Sequence, residues 1–231
     1  MRLDKFLTHT GTLTRRQAAA AAKAGKLSVN GTPVLRCDIH IDPEHDQVAY
    51  MDQHIAYQKY TYIMLNKPAG VLSATNDPKQ KTVIDLLPEP LQRLQLFPCG
   101  RLDKDTLGLL ILTNDGPAAH RQLSPKTHAE KEYAFRCKKP FSQIQKIEKG
   151  VCLADGYQTL PCKIRMADSF SGVITLTEGK YHQIKRMFEA LDNQIVYLER
   201  IKFAGIALDP ALPRGAFRPL KPAEQTLFAG G

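Results

Sequence analysis

The feature that most limits how this chain can fold is the run Leu-Gly-Leu-Leu-Ile-Leu at 107–112, hemmed by polar residues on both sides. Before it stands Gly100-Arg101-Leu102-Asp103-Lys104-Asp105-Thr106, and after it Asn114-Asp115-Gly116. The run is far shorter than the ~18 residues of a membrane span. It suits a strand buried on both faces of a sheet. The polar insert before it then becomes a loop at the end of a buried strand, a common location for working residues.

The rest of the chain supports a sheet around that strand. Residues 60–66, 131–138, 163–168, 172–177 and 195–203 read as strands, and 142–149 and 182–191 as helices. Asn114-Asp115-Gly116 closes the apolar run, and Pro117 suits the first turn of a following helix. Strands do not alternate strictly with helices, so a mixed, largely antiparallel sheet is expected and a doubly wound one is not.

Residues 1–58 read as a smaller α/β module. Leu3, Phe6 and Leu7 have helical spacing, and Thr14-Arg15-Arg16-Gln17 is a capping-box pattern ahead of the alanines at 18–24. Gly25 ends that helix. Asn30-Gly31, between short strands at 26–29 and 32–35, predicts a type I′ hairpin, and 47–50 offers another strand. The 231 residues thus divide into a small domain at 1–52, a linker at 53–59 and a larger domain at 60–231, an α+β organisation.

Charge adds a direction. The chain carries 32 Lys and Arg against 23 Asp and Glu, a formal +9. Residues 1–36 hold seven Lys or Arg and one acid, whereas 37–58 hold five acids and no Lys or Arg. Basic charge concentrated at one end is compatible with a polyanionic partner. The five cysteines include no C-x-x-C pair, which argues against a disulfide framework or a zinc ribbon and for a reducing cytoplasm. No apolar segment follows Arg2, Asp4 and Lys5 as a secretory signal would require.

Several chemistries are excluded by missing motifs. There is no phosphate-binding P-loop, no G-x-G-x-x-G, no G-x-S-x-G and no H-E-x-x-H, and the seven histidines show no ligand spacing. Neither a cofactor nor a catalytic metal is expected. On a helix from His182 to Leu191, Ile184, Met187, Phe188 and Leu191 share one face, with His182, Lys185, Arg186 and Glu189 opposite. Spacing alone allows an ordinary amphipathic surface helix there, or a cationic helix end beside a site for phosphate or carboxylate. Spacing alone likewise leaves Asp103 as a turn residue or a reactive one.

Five segments in order change that balance. Leu65-Asn66-Lys67-Pro68-Ala69-Gly70, then Gly100-Arg101-Leu102-Asp103 continuing to Asn114-Asp115-Gly116, then Lys131-Glu132-Tyr133, then Glu178-Gly179-Lys180-Tyr181-His182-Gln183-Ile184-Lys185-Arg186-Met187, and finally Val196-Tyr197-Leu198 with Arg200 resemble the bacterial rRNA pseudouridine synthases. Arg2-Leu3-Asp4-Lys5-Phe6-Leu7, Thr14-Arg15-Arg16 and the stretch Gly25–Gly31 resemble the S4 RNA-binding module that many of them carry. Within that family the likeness is to the branch acting on small-subunit 16S rRNA, supported by Pro43-Glu44-His45-Asp46 and by Ser124-Pro125-Lys126-Thr127-His128. The chain departs from many relatives at Leu107, where they have Ser, at Lys185, where they have Arg, and in its Ala-rich S4 helix.

The resemblance implies a cofactor-free isomerisation of a flipped-out uridine, breaking N1–C1′ and forming C5–C1′. It implies Asp103 as the catalytic carboxylate with Lys185 as its counter-charge. It also implies Tyr133 stacked on the uracil with its hydroxyl near C5, and Leu198 as an apolar floor. Arg101, His182 and Arg186 would contact RNA near the site, and Arg2, Lys5, Arg15, Arg16, Lys23 and Lys26 would hold phosphates from the S4 side. The implied partner is 16S rRNA, within a partly assembled subunit, met by a monomeric, non-membrane protein. The alternatives are the same chemistry on 23S rRNA, or an S4-type ribosome-assembly factor without catalysis. A metal-dependent nuclease would need clustered carboxylates that the sequence lacks.

Overall fold

The structure is a computed structural model describing residues 1–124, 126–127 and 129–230. Pro125 and His128, from the second 16S-type segment, lie outside the described residues. The chain forms two compact units: Met1–Thr61 with Leu87–Leu96, and Tyr62–Leu86 with Phe97–Gly231.

In the first unit, α1 (Leu3–His9) and α2 (Arg15–Lys23) precede β1 (Leu27–Val29), β2 (Thr32–Pro33), β3 (Val48–Tyr50) and β4 (Gln53–His54); α3 (Glu89–Gln92) belongs here too. The strands form an antiparallel sheet ordered β2-β1-β3-β4. Local chemistry accounts for these elements. Thr14 and Gln17 exchange the two bonds of a capping box. The N–H groups of Gly25 and Lys26 bond the carbonyls of Ala22 and Ala21, closing α2 with the paired bonds of a Schellman motif. Asn30 and Gly31 both have positive φ (51° and 77°), as a two-residue type I′ loop between Val29 and Thr32 demands. Ala18, Ala21 and Ala22 join Leu3, Phe6, Leu7 and Leu27 in the core. The small side chains face inward, and Arg15, Arg16 and Lys23 face solvent.

Two findings differ from the expected division. Residues 53–59 do not hang free between domains. Gln53–His54 pairs with β3, Ile55 packs on the first core, and Tyr57 stacks on Phe6 at 5.7 Å. An apolar Ile and Tyr at alternate positions have surface to bury, so this stretch is structure rather than tether. The segment Leu87–Leu96 also returns to the first unit, where Gly11 (φ +72°) turns so tightly that an added Cβ would lie 2.6 Å from the Pro90 carbonyl oxygen.

The second unit contains β5 (Tyr62–Lys67), β6 (Phe97–Pro98), β7 (Leu107–Thr113), α4 (Gly116–Leu123), β8 (Lys131–Cys137), α5 (Ile144–Glu148), β9 (Lys163–Met166), β10 (Ser171–Leu176), α6 (Gln183–Glu189), β11 (Ile195–Phe203), β12 (Ile206–Ala207), β13 (Phe217–Pro219) and α7 (Pro222–Ala229). Its sheet runs β13-β5-β7-β11-β8-β10-β9, with β6 beside β7 and β12 beside β11. All of its pairs are antiparallel except β7 with β11. Leu109, Leu110, Ile111 and Leu112 are fully buried, as a central strand requires. The parallel pair matters because it puts the loop ahead of β7 beside β11. It depends on Gly108, whose φ of +96° and missing side chain let the Arg200 backbone approach. No helix among the described residues is long and apolar enough to cross a membrane.

Candidate active site

Asp103 lies in the loop before β7, and its side chain, one-quarter exposed, lines a cavity of about 680 Å³. Lys185 reaches it from the first turn of α6, Nζ to Oδ2 3.0 Å, and the His182 Nε2 lies 3.6 Å from Oδ1. The Lys185 ammonium also donates to Asp105 at 2.6 Å, so one cation serves two carboxylates. Burial works against its charge, but the hydrogen bonds to Asp105 and Asp103 outweigh it and hold the ammonium above the ordinary lysine value. Asp105 is likewise held below the ordinary carboxylate range: burial opposes its charge, and the bond from Lys185 prevails.

Tyr133 and Leu198 line the same cavity. They come from β8 and β11, whose pairing sets Tyr133 opposite Arg200 and Leu198 opposite Phe135. Alternation along each strand then points Tyr133 and Leu198 to one face. Phe188 and Met187 of α6 are buried, and Phe188 packs on Phe135 at 5.0 Å, which places Lys185 over the cavity. Tyr133 (9% exposed) and Leu198 (7% exposed) therefore form an apolar wall of the cavity beside its ionic end.

Of the predicted residues, Asp103, Tyr133, Lys185, Leu198, Arg101 and His182 line this one cavity. Arg186 turns away, pairing with Asp155 at 2.5 Å and donating to the Tyr181 carbonyl. His182 corrects the expectation of a helical residue. It precedes α6 with left-handed backbone (φ 49°, ψ 31°), so its ring is aimed by the turn and not by helical periodicity. Arg2, Lys5, Arg15, Arg16, Lys23 and Lys26 are all exposed in the first unit, with Arg2 paired to Asp4 at 3.0 Å. Among the described residues no three His, Cys, Asp or Glu side chains cluster as metal ligands would.

Sequence reasoning gave no role of its own to Lys67, a member of the segment Leu65–Gly70. Lys67 is completely buried at the end of β5, and its ammonium donates to the carbonyls of Pro68, Asp103, Lys104 and Thr106 at 3.0–3.2 Å. Burial pushes it down to about 8, against the pull of Asp105 and Asp103. Ser73 adds a clasp, donating to the Leu102 carbonyl and accepting from the Leu102 N–H. The only local signal was a Lys directly before Pro68 in a strand-ending pattern. Replacing Lys67 by Met keeps the volume and removes the ammonium; the Asp103 and Lys104 carbonyls keep the N–H groups of Thr106 and Gly70, but those of Pro68 and Thr106 lose this donor, each loss costing roughly 1–3 kcal/mol. The expected result is a folded protein whose loop 103–106 exchanges amide hydrogens faster. Its chemical step should slow on the order of 10²-fold, the scale of a ~1 Å misplacement. Mass-spectrometric hydrogen exchange and single-turnover rates check this, and unchanged exchange at 103–106 would remove Lys67 from that role.

A small helix-and-sheet unit followed in the chain by a mixed sheet, whose central loop brings a carboxylate to a cavity lined by Tyr133 and Leu198, defines a two-domain class of protein. The chain belongs to the RNA pseudouridylate synthase family, which matches residues 61–190, and residues 1–38 match the S4 domain. It is 44% identical to an uncharacterized RNA pseudouridine synthase, YtzG, of Bacillus subtilis (strain 168), covering 99% of this chain and 98% of that one. It is 38% identical to ribosomal small subunit pseudouridine synthase A of Escherichia coli (strain K12), over 97% and 98% of the two chains. A crystal structure of a pseudouridylate synthase superposes with a TM-score of 0.68 at 36% identity, covering 97% of each chain.

Proposed function

We propose that this pseudouridine synthase converts a uridine of small-subunit 16S rRNA to pseudouridine, with Asp103 as the essential carboxylate. The observation that carries the reading is the pairing of Asp103 with Lys185 at 3.0 Å, beside the apolar wall formed by Tyr133 and Leu198. A flipped uracil fits between an aromatic ring and an aliphatic side chain. The Asp103 carboxylate acts at the ribose as N1–C1′ breaks. The Lys185 ammonium pairs with it at 3.0 Å and fixes its position in the cavity. The uracil turns, C5–C1′ forms, and the C5 hydrogen leaves as a proton while N1 takes one up; the Tyr133 hydroxyl is the proposed proton relay. The 16S target is supported by likeness to enzymes named for the small ribosomal subunit.

The test is tritium release from 5-tritiated uridine in 16S rRNA, free or assembled with small-subunit proteins, beside 23S rRNA. Loss of about one tritium per 16S molecule, in line with single-site base chemistry, is expected. Release from 23S rRNA alone would move the target, and release from neither would leave an RNA-binding assembly factor.

The S4 side makes a separate prediction. Changing Arg15, Arg16, Lys23 and Lys26 to Gln should weaken rRNA binding at low salt. It should also flatten the log–log salt dependence by about 3, the counterion release of four phosphate contacts. All four are exposed, so the fold should survive. An unchanged slope in filter binding across a salt series would show that these cations do not face phosphate.

A further inference from the structure

We propose that the Tyr181 ring is a stacking platform for the unpaired nucleobase next to the target uridine, an inference that rests on the function proposed above. Tyr181 is 77% exposed, the most exposed of the large apolar side chains in the chain's described residues, yet it lines the cavity that holds Asp103. One face of its ring is already stacked on the His182 imidazole, with centroids 3.8 Å apart and planes 17° from parallel. The other face is open. His182 in turn stands 3.6 Å from Asp103. The order from inside to outside is therefore carboxylate, imidazole, phenol and solvent.

This arrangement is held in place by its surroundings. His182 has left-handed backbone at φ 49°, a conformation that non-glycine residues adopt only where neighbours over-determine it. The Lys180 N–H donates to the Gln183 side chain, and the Gln183 amide donates to Glu178 at 2.6 Å. Tyr157 and the Leu160 N–H fix the Glu178 carboxylate, and Arg186 holds the Tyr181 carbonyl. A turn pinned at this many points, with a flat ring left bare at its tip, presents a preformed surface rather than a mobile side chain.

The chemistry of the rim selects the occupant. Lys180 precedes Tyr181 in the chain and lines the same cavity, its ammonium 4.7 Å over the Tyr157 ring, and Arg101 and Lys104 line the cavity too. An open π face among cations suits a base whose phosphates run past those cations. The cavity wall of Tyr133 and Leu198 takes the target base, so the ring outside it is free for a neighbour. Pulling one uridine out of its stack leaves that neighbour exposed, and Tyr181 supplies the lost stacking partner.

The experiment uses the full-length protein and the 16S segment shown by tritium release to contain the converted uridine, with 2-aminopurine on either side of that uridine. Stacking should quench the probe when the wild-type protein binds. Tyr181→Ala should lose the quenching and raise the Kd about 5- to 150-fold, the range measured for single base–aromatic stacks. Tyr181→Phe keeps the ring and should retain both quenching and affinity within about twofold. Wild-type quenching that survives in Tyr181→Ala, or its absence in the wild type, overturns the platform. So does a loss shared by Tyr181→Phe, which would assign the effect to the hydroxyl, or a fall in kcat without a change in Kd, which would make Tyr181 a support for His182. Tritium release by the wild type separates this outcome from a failure of the proposed reaction, because the quenching reads binding alone.

Discussion

Asp103→Asn is expected to remove turnover while leaving rRNA affinity within a few-fold of wild type. The substitution keeps the shape of the side chain and takes away one charge. The loop should stay in place, because Lys67 grips the backbone carbonyl of residue 103 and not its carboxylate. Lys185 should stay in place too, since Asp105 at 2.6 Å remains to pair it. What disappears is the carboxylate that lines the cavity with Tyr133 and Leu198 and faces the Lys185 ammonium on one oxygen and the His182 ring on the other. Losing a group that acts directly on the reacting atoms costs on the order of 10⁴-fold or more in rate. Affinity has no comparable reason to fall, since removing a negative charge near RNA phosphates relieves repulsion. Single-turnover tritium release and filter binding on the same preparations check both halves. Retained release would mean another group does the chemistry, and affinity lost in parallel with rate would mean the variant had lost its structure.

Gly108→Ala should be the most destabilising of the single-atom additions. At φ +96° an alanine is strained before any contact is considered. Its Cβ would then lie 2.3 Å from the Arg200 carbonyl oxygen and 2.7 Å from the Glu199 Cγ. Backbone cannot swing aside as a side-chain tip can, so β11 must move from β7. Those strands pair through only Leu107 with Glu199 and Gly108 with Arg200, reinforced by the buried Arg200 guanidinium donating to the Leu109 carbonyl at 2.8 Å. The loss should reach roughly 3–5 kcal/mol, at the extreme of single substitutions. Gly156→Ala is the control, with similar φ (+83°) and nothing within 4 Å of its added Cβ. It should cost only the conformational strain, about 1–2 kcal/mol. Urea unfolding of the two variants side by side decides, and equal midpoints would mean that β11 is not held by close approach at Gly108.

Much of the fold was legible because its signals are local. The Thr14–Gln17 box, the Gly25 stop and the Asn30-Gly31 loop each act within a few residues, and each appears as read. The strands at 107–113, 131–137 and 195–203 were legible from apolar pattern, and the α6 core face from helical period. The C-terminal end was not. β13 is three residues long and includes Pro219, and it is a strand because β5 lies beside it. Arg218, clasped by Asp209 and Glu224, anchors it in a way no periodicity shows. One signal there could have been used: Pro222 followed by Glu224 is a helix start, and α7 begins at Pro222.

The site divides in the same way. The motifs named Asp103, Tyr133, Lys185 and Leu198, but gave Lys67 and Tyr181 no role of their own. The sequence by itself determined which side chains are present, the short elements their neighbours dictate, and the family to which their order belongs. Only the tertiary structure decided that Lys185 is shared between Asp103 and Asp105, that Lys67 is buried among four carbonyls, and that the Tyr181 ring is bare over His182. The reason is physical: capping and turn bonds reach a few residues along the chain, whereas charge, burial and stacking depend on distance in space, which is set only once remote strands have paired.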